Sequence, residues 1–214
     1  AAGRIIAEGY APAMAEYLDT ALVEYSGSVT GNAVFPVELD GERVAATLML
    51  TLEGADEDAV MEQMETLAEL AEELECLDIL VGDTPTMKRE FMAAYEAFHS
   101  SVEGAKSSCE ANVSVPAQRV WEYMEYARGV GEELGVKPMF CAHLGSGGVH
   151  AYAVSEQARS EYAPQAEAFV KALYAESVRL GGDAAGEYGV GCTKQEYVAA
   201  ERRERYAALK AELD

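Results

Sequence analysis

Basic residues are scarce in this chain of 214 residues. Lysine and arginine total 16 against 38 aspartates and glutamates, a formal net charge of −22. Such an excess repels nucleic-acid phosphates and anionic membrane surfaces, so neither is expected as a partner. It also repels a small anionic substrate at long range, and a carboxylate ligand would need a local cationic side chain or a metal. Cysteines are few and scattered. Cys76, Cys109, Cys141 and Cys192 form no CxxC pair, which leaves no signal for an iron–sulfur cluster or a zinc ribbon and points to reduced thiols. No run approaches the ~20 apolar residues of a membrane span, and no charged start followed by an apolar stretch marks a secretory signal. The expected location is cytoplasmic. An initiator methionine is lacking too. The chain opens on Ala-Ala-Gly and stops within a helical pattern at Asp214, which reads as a fragment of a longer protein. What is present is 50% hydrophobic, enough for a sizeable core.

The punctuation of the chain suggests its elements. Pro12 followed by Met14, Leu18, Ala21, Leu22 and Tyr25 predicts a helix over Ala13 to Tyr25, ended by Gly27. Asp40-Gly41 is a hairpin signal between expected strands Val34 to Leu39 and Val44 to Leu52. Asp56 opens a helix with Val60, Met64, Leu67 and Leu70 on one face and acidic residues on the other. Leu77 to Val81 is expected as a short strand, and Thr84-Pro85 starts a helix toward Ser101 that carries Phe91, Tyr95 and Phe98. Further on, a strand at Ala111 to Val115 precedes a helix from Val120 to Leu134. Strands at Val136 to Ala142 and Val149 to Val154 follow, then helices over Ala163 to Leu180 and Lys194 to Leu213. This order predicts an α+β fold, near the ferredoxin-like plan, with an antiparallel or mixed sheet and helices packed on one face.

The densest chemical signal is His143-Leu-Gly-Ser-Gly-Gly-Val-His150, two imidazoles flanking a glycine turn. One helix later comes Gly186-Glu-Tyr-Gly-Val-Gly191. Two histidines and a glutamate can make a facial metal site, and glycines let a backbone fold tightly enough to aim side chains together or approach a flat cofactor. Spacing alone leaves surface or hydrogen-bonding histidines as the more ordinary alternative.

The same residues carry a resemblance. His143 to His150 resembles the HxGDGNxH signature of the FAD-linked oxidase C-terminal domain, and Gly181 to Lys194 resembles its GGTxSGEHGxGxxK. Glu16-Tyr-Leu-Asp19, Asn112-Val-Ser-Val-Pro116 and the helix ending near Lys210 resemble further landmarks of that family in the same order. The family includes D-lactate dehydrogenase, glycolate oxidase and D-2-hydroxyglutarate dehydrogenase. The resemblance implies that residues 1–214 form a single cap, or substrate, domain. Its partner would be an N-terminal FAD-binding domain of the same protein, missing here together with the extreme C-terminal tail. A 2-hydroxy acid would be oxidised by hydride transfer to the flavin. It further implies that the turn Gly145, Ser146, Gly147 and Gly148 faces the cofactor, and that His143, His150 and Glu187 hold zinc or manganese.

This chain also departs from the pattern. Ser146 and Gly148 stand where the motif has Asp and Asn, Tyr188 replaces the histidine that would be the base, and Tyr95 falls where the family has a substrate-binding arginine. Tyr188 and Tyr95 are therefore the candidate catalytic residues, although an ordinary tyrosine, with a pKa near 10, is a poor base at neutral pH. A degenerate cap serving as a scaffold in a redox assembly is the alternative expectation.

Overall fold

Three helices of the first half begin where a side chain closes their first turn. The structure, a computed structural model, describes residues 12–213. Asp19 accepts the Ala21 N–H and starts α1 (Thr20–Thr30), Asp56 accepts from Ala59 at α2 (Glu57–Glu73), and Thr84 accepts from Met87 at α3 (Pro85–Glu103). Three more helices follow: α4 (Val120–Leu134), α5 (Arg159–Arg179) and α6 (Ala200–Leu213). The strands are β1 (Met14–Asp19), β2 (Glu38–Leu39), β3 (Glu42–Arg43), β4 (Ala46–Thr51), β5 (Ser107–Ser114), β6 (Met139–His143) and β7 (Gly148–Ser155).

The chain divides into two compact units. The first holds the described residues up to Lys106 together with Met139–Gly145; the second holds Ser107–Pro138 and the described residues from Ser146 on. In the first unit β1 is the central strand, antiparallel to β4 on one side and to β6 on the other. Helix α1 covers β1 and β6 and packs on α3. Leu18, Leu22 and Phe98 are buried in this unit, and Phe140 is buried on the other face of β6. In the second unit β5 and β7 pair antiparallel over eight residues, α5 lies on β5, and α4 packs on α5 and β7 around Tyr123, Met124, Phe169 and Leu173. The class is α+β, with antiparallel strands and helices packed on one face, as the order of elements led us to expect.

Several elements differ from the expectation. Met14 to Asp19 is a strand, and the helix expected over Ala13 to Tyr25 begins only after the Asp19 cap. The segment alternates, with Glu16 and Leu18 buried and their neighbours less so, and strands on both sides satisfy its backbone. The helix runs through Gly27 to Thr30. The Asp40-Gly41 turn joins only two-residue strands, because the following segment pairs with β1 instead of completing a long hairpin. Leu77 to Val81 makes no strand, and Leu77, Ile79, Leu80 and Val81 are exposed. The last helix starts at Ala200, preceded by a single 3₁₀ turn at Gln195–Tyr197. Pro164 lies inside α5, which begins at Arg159. Pro12, the expected helix start, is the first residue described and precedes β1.

Candidate metal centre

Each of the two motif histidines ends up against a carboxylate, one in each unit. In the first unit the register sets Glu16 opposite His143, and Glu16 Oε2 lies 2.6 Å from His143 Nδ1. Tyr95, from α3, donates its hydroxyl to the same oxygen at 3.2 Å. Glu16 is only 4% exposed, a position that a carboxylate occupies when donors replace its lost water. Its pairing assigns the imidazole proton to Nδ1 and the lone pair to Nε2. The Tyr95 hydroxyl is pushed far above its ordinary range, first by burial and then by Cys141 and Glu16 beside it. It is held protonated, a donor to Glu16.

In the second unit His150 lies 2.7 Å through Nδ1 from Glu110 Oε1. Tyr152, two residues along β7 and therefore on the same face, stacks on the imidazole with ring centres 5.6 Å apart and brings its hydroxyl to 3.1 Å from Nδ1. Asn112 is the register partner of His150. Its Oδ1 accepts the backbone N–H groups of Glu187 at 2.7 Å and Tyr188 at 3.2 Å, which orients the amide and turns Nδ2 toward the ring, 3.2 Å from Nε2. Nδ1 thus carries the proton and Nε2 the lone pair. Glu187 Oε2 lies 3.3 Å from that Nε2, and Tyr188 meets the ring edge-on at 6.1 Å between centres. The Nε2 lone pair thus faces both the Asn112 amide and the Glu187 carboxylate, and a divalent ion bound there would take the place of the amide contact.

The second unit therefore gathers His150, Glu187 and Tyr188, while the first gathers His143 and Tyr95. This donor set fits a borderline divalent ion such as zinc: an imidazole oriented by a carboxylate behind it, beside a half-exposed carboxylate. Ser146 is exposed, and its hydroxyl accepts the Gly148 N–H at 3.4 Å. Gly147 has a structural reason to be glycine. Its φ is +81°, and a Cβ there would lie 1.8 Å from the Val115 carbonyl oxygen.

Sequence reasoning gave no site role to four residues that hold these groups: Glu110, which it did not mention, and Glu16, Asn112 and Lys194, which entered only as ends of motif segments. Lys194 is 6% exposed, donates from Nζ to the Asn112 carbonyl at 2.8 Å and lies 5.0 Å from the centre of the Tyr174 ring. Burial lowers its pKa, against the pull of Glu110. The signal was present. Glu16 shares a strand face with the buried Leu18, and Asn112 is buried between Ala111 and Val113, which point to the opposite face; a polar side chain stays inside such a strand only when it finds partners.

With this geometry in hand, comparison with known proteins places the chain. Residues 1–214 match the family described as FAD linked oxidases, C-terminal domain. The chain belongs to that family. A D-lactate dehydrogenase of Anaerostipes hadrus is 29% identical over 191 residues, which cover 88% of this chain and 40% of that protein. Uncharacterized FAD-linked oxidoreductases from two strains of Mycobacterium tuberculosis are 25% identical over 196 residues, covering 91% of this chain and 41% of theirs. The chain thus spans about two fifths of the length of the curated relatives it matches. Among the described residues, no helix is long and apolar enough to cross a membrane.

Proposed function

We propose that this chain is the cap domain of an FAD-dependent oxidoreductase that oxidises a small 2-hydroxy acid to the 2-oxo acid, with an FAD-binding domain of the same protein as its partner. The observation that carries the reading is the oriented His150 lone pair beside the Glu187 carboxylate, in a chain belonging to a flavin-linked family. His150, Glu187 and, from the other end of the motif turn, His143 are the proposed ligands of zinc or manganese. Bound FAD would supply the hydride acceptor, and the ion the positive charge that draws in the substrate's hydroxyl and carboxylate.

The chain's own residues then have distinct tasks. Glu16 and Glu110 each hold an imidazole with its proton on Nδ1, so that Nε2 is the donor atom. Tyr188, edge-on to His150, is the proposed acceptor of the hydroxyl proton, since a nearby cation lowers a phenol's pKa. Tyr95 orients Glu16 through its hydroxyl. Gly145, Ser146, Gly147 and Gly148 form the turn proposed to face the flavin. The cation also answers the −22 charge, which would otherwise repel an anionic substrate.

The test is anaerobic titration of the full-length flavoprotein with D-lactate, glycolate and D-2-hydroxyglutarate, read as flavin bleaching. It is run beside calorimetric titration of zinc and manganese into the metal-stripped protein. Bleaching by at least one acid, lost in His150→Ala and Glu187→Gln together with metal binding, is the expected outcome. Equal metal binding by wild type and both variants would overturn the ligand assignment, and no bleaching by any acid would overturn the substrate class.

A further inference from the structure

The loop that carries Glu187 and Tyr188 has little structure of its own. Between the end of α5 and the 3₁₀ turn at Gln195–Tyr197 it contains no helix or strand, only a bridge from Asp183 to Ser114. An ion pair from Arg202 to the Asp183 carboxylate ties the same point. Beyond that point one residue of β5, Asn112, takes three successive backbone N–H groups of the loop. Asn112 accepts the Gly186 N–H on its backbone carbonyl at 3.4 Å and the next two N–H groups, those of Glu187 and Tyr188, on Oδ1. Lys194, at the far end of the loop, closes on the same Asn112 carbonyl at 2.8 Å. Both anchors are buried, Asn112 at 2% and Lys194 at 6% exposure. The approach leaves no slack, because a Cβ on Gly186 would lie 2.4 Å from Asn112 Oδ1.

We infer that Asn112, Gly186 and Lys194 form a latch that positions Glu187 and Tyr188 against His150, with Asn112 and Lys194 acting as positioning residues. The inference deepens the metal reading and rests on it for its consequence, although the latch itself can be read without metal. The physical logic is one of consecutive donors. Three successive backbone N–H groups need acceptors, and a loop without its own hydrogen-bond ladder obtains them from a single asparagine already fixed in a strand. Lys194 polarises that asparagine's carbonyl and pins the other end of the loop with a charge-assisted bond in a dry setting. An aspartate at 112 would keep the Oδ1 acceptor, whereas an alanine would remove it.

The test uses hydrogen–deuterium exchange on the metal-stripped full-length protein, with fragmentation that resolves single amides, followed by zinc titration of the same samples. Glu187 and Tyr188 amides should be protected in wild type and in Asn112→Asp. In Asn112→Ala and Gly186→Ala they should lose at least tenfold in protection while the β5–β7 ladder amides stay protected. Zinc affinity should fall by roughly 10–100-fold in the last two. Gly186→Ala acts from the loop side and leaves the strand intact, so a failure of Asn112→Ala to fold does not remove the test. Unchanged Glu187 and Tyr188 protection in Gly186→Ala, or equal loss in Asn112→Asp and Asn112→Ala, would overturn the latch. Wild-type protein that shows the protection pattern but binds no zinc would overturn the metal reading and leave the latch standing.

Discussion

The two units hold their histidines by the same device and support it differently. In the first, Glu16 stands opposite His143 on an adjacent strand, is nearly inaccessible, and receives its second donor from Tyr95 on a helix. In the second, the residue opposite His150 is an amide, Asn112, and the carboxylate role passes to the more accessible Glu110 two residues away. The first arrangement is built wholly from strands and a helix; the second also carries a loop. The difference teaches that a buried carboxylate orients one ring, whereas a buried amide can orient a ring and hold a backbone at once, because it both accepts and donates.

Substitutions can break this comparison, and the largest effect should fall on metal affinity. His150→Ala removes a proposed ligand, and binding of zinc should drop beyond calorimetric detection, whereas Tyr152→Phe removes only the hydroxyl near Nδ1 and should weaken it tenfold or less. Next comes the turn. Gly147→Ala combines a positive φ with the Val115 carbonyl and should cost ~2–4 kcal/mol in urea denaturation, while Gly145→Ala, whose Cβ meets nothing within 4 Å, should fall within about 0.5 kcal/mol.

The carboxylates should rank by burial. Glu16→Ala deprives the Tyr95 hydroxyl and the His143 N–H of their acceptor and should cost ~1–3 kcal/mol, against under ~1 kcal/mol for Glu110→Ala. The reverse order would break the comparison drawn between the units.

The smallest effects are slopes with pH, and in the second unit two groups oppose each other in sign. Burial raises the Tyr95 pKa in the folded state, so its contribution is intact below the unfolded value near 10 and is lost as pH rises beyond it. Tyr174, in the second unit, is pushed up to about 12, mainly by burial, and loses its contribution as pH climbs from 10 toward 12. Lys194 opposes it. Its lowered folded pKa means the unfolded chain binds more protons just below 10.5, so stability rises with pH there. Denaturation midpoints measured from pH 8 to 11 should fall less steeply in Tyr95→Phe and more steeply in Lys194→Met than in wild type.

Local signals read well in this sequence and relational ones did not. Asp56, Thr84-Pro85 and the periodic apolar faces after them place α2 and α3 within a residue or two, because capping is chemistry between near neighbours. Met14 to Asp19 misleads because Met14, Leu18 and Leu22 satisfy a helical spacing, and only the pairing of β4 and β6 on either side makes the segment a strand. Leu77 to Val81 misleads in the opposite sense: its composition suits a strand, yet it lies exposed. Of the site, the histidines and Glu187 were legible from the motif. The roles of Glu16, Glu110, Asn112 and Lys194 were not, since they lie in hydrogen-bonding partners between 38 and 127 positions away, as from Asn112 to His150 or Glu16 to His143.

The unequal freedom of the glycines has a practical side for anyone wishing to redirect this domain by directed evolution. A library that randomises the whole segment from His143 to His150 would spend most of its members on non-folders, because position 147 admits no side chain beside the Val115 carbonyl. Positions 145 and 146 are exposed, and 145 has open space around it, so diversity placed there can alter what the turn presents without disturbing the strand beneath. The loop offers the converse rule. Position 186 must remain glycine against Asn112, whereas 189 opens onto empty space and is the natural place for an inserted side chain or a spectroscopic label.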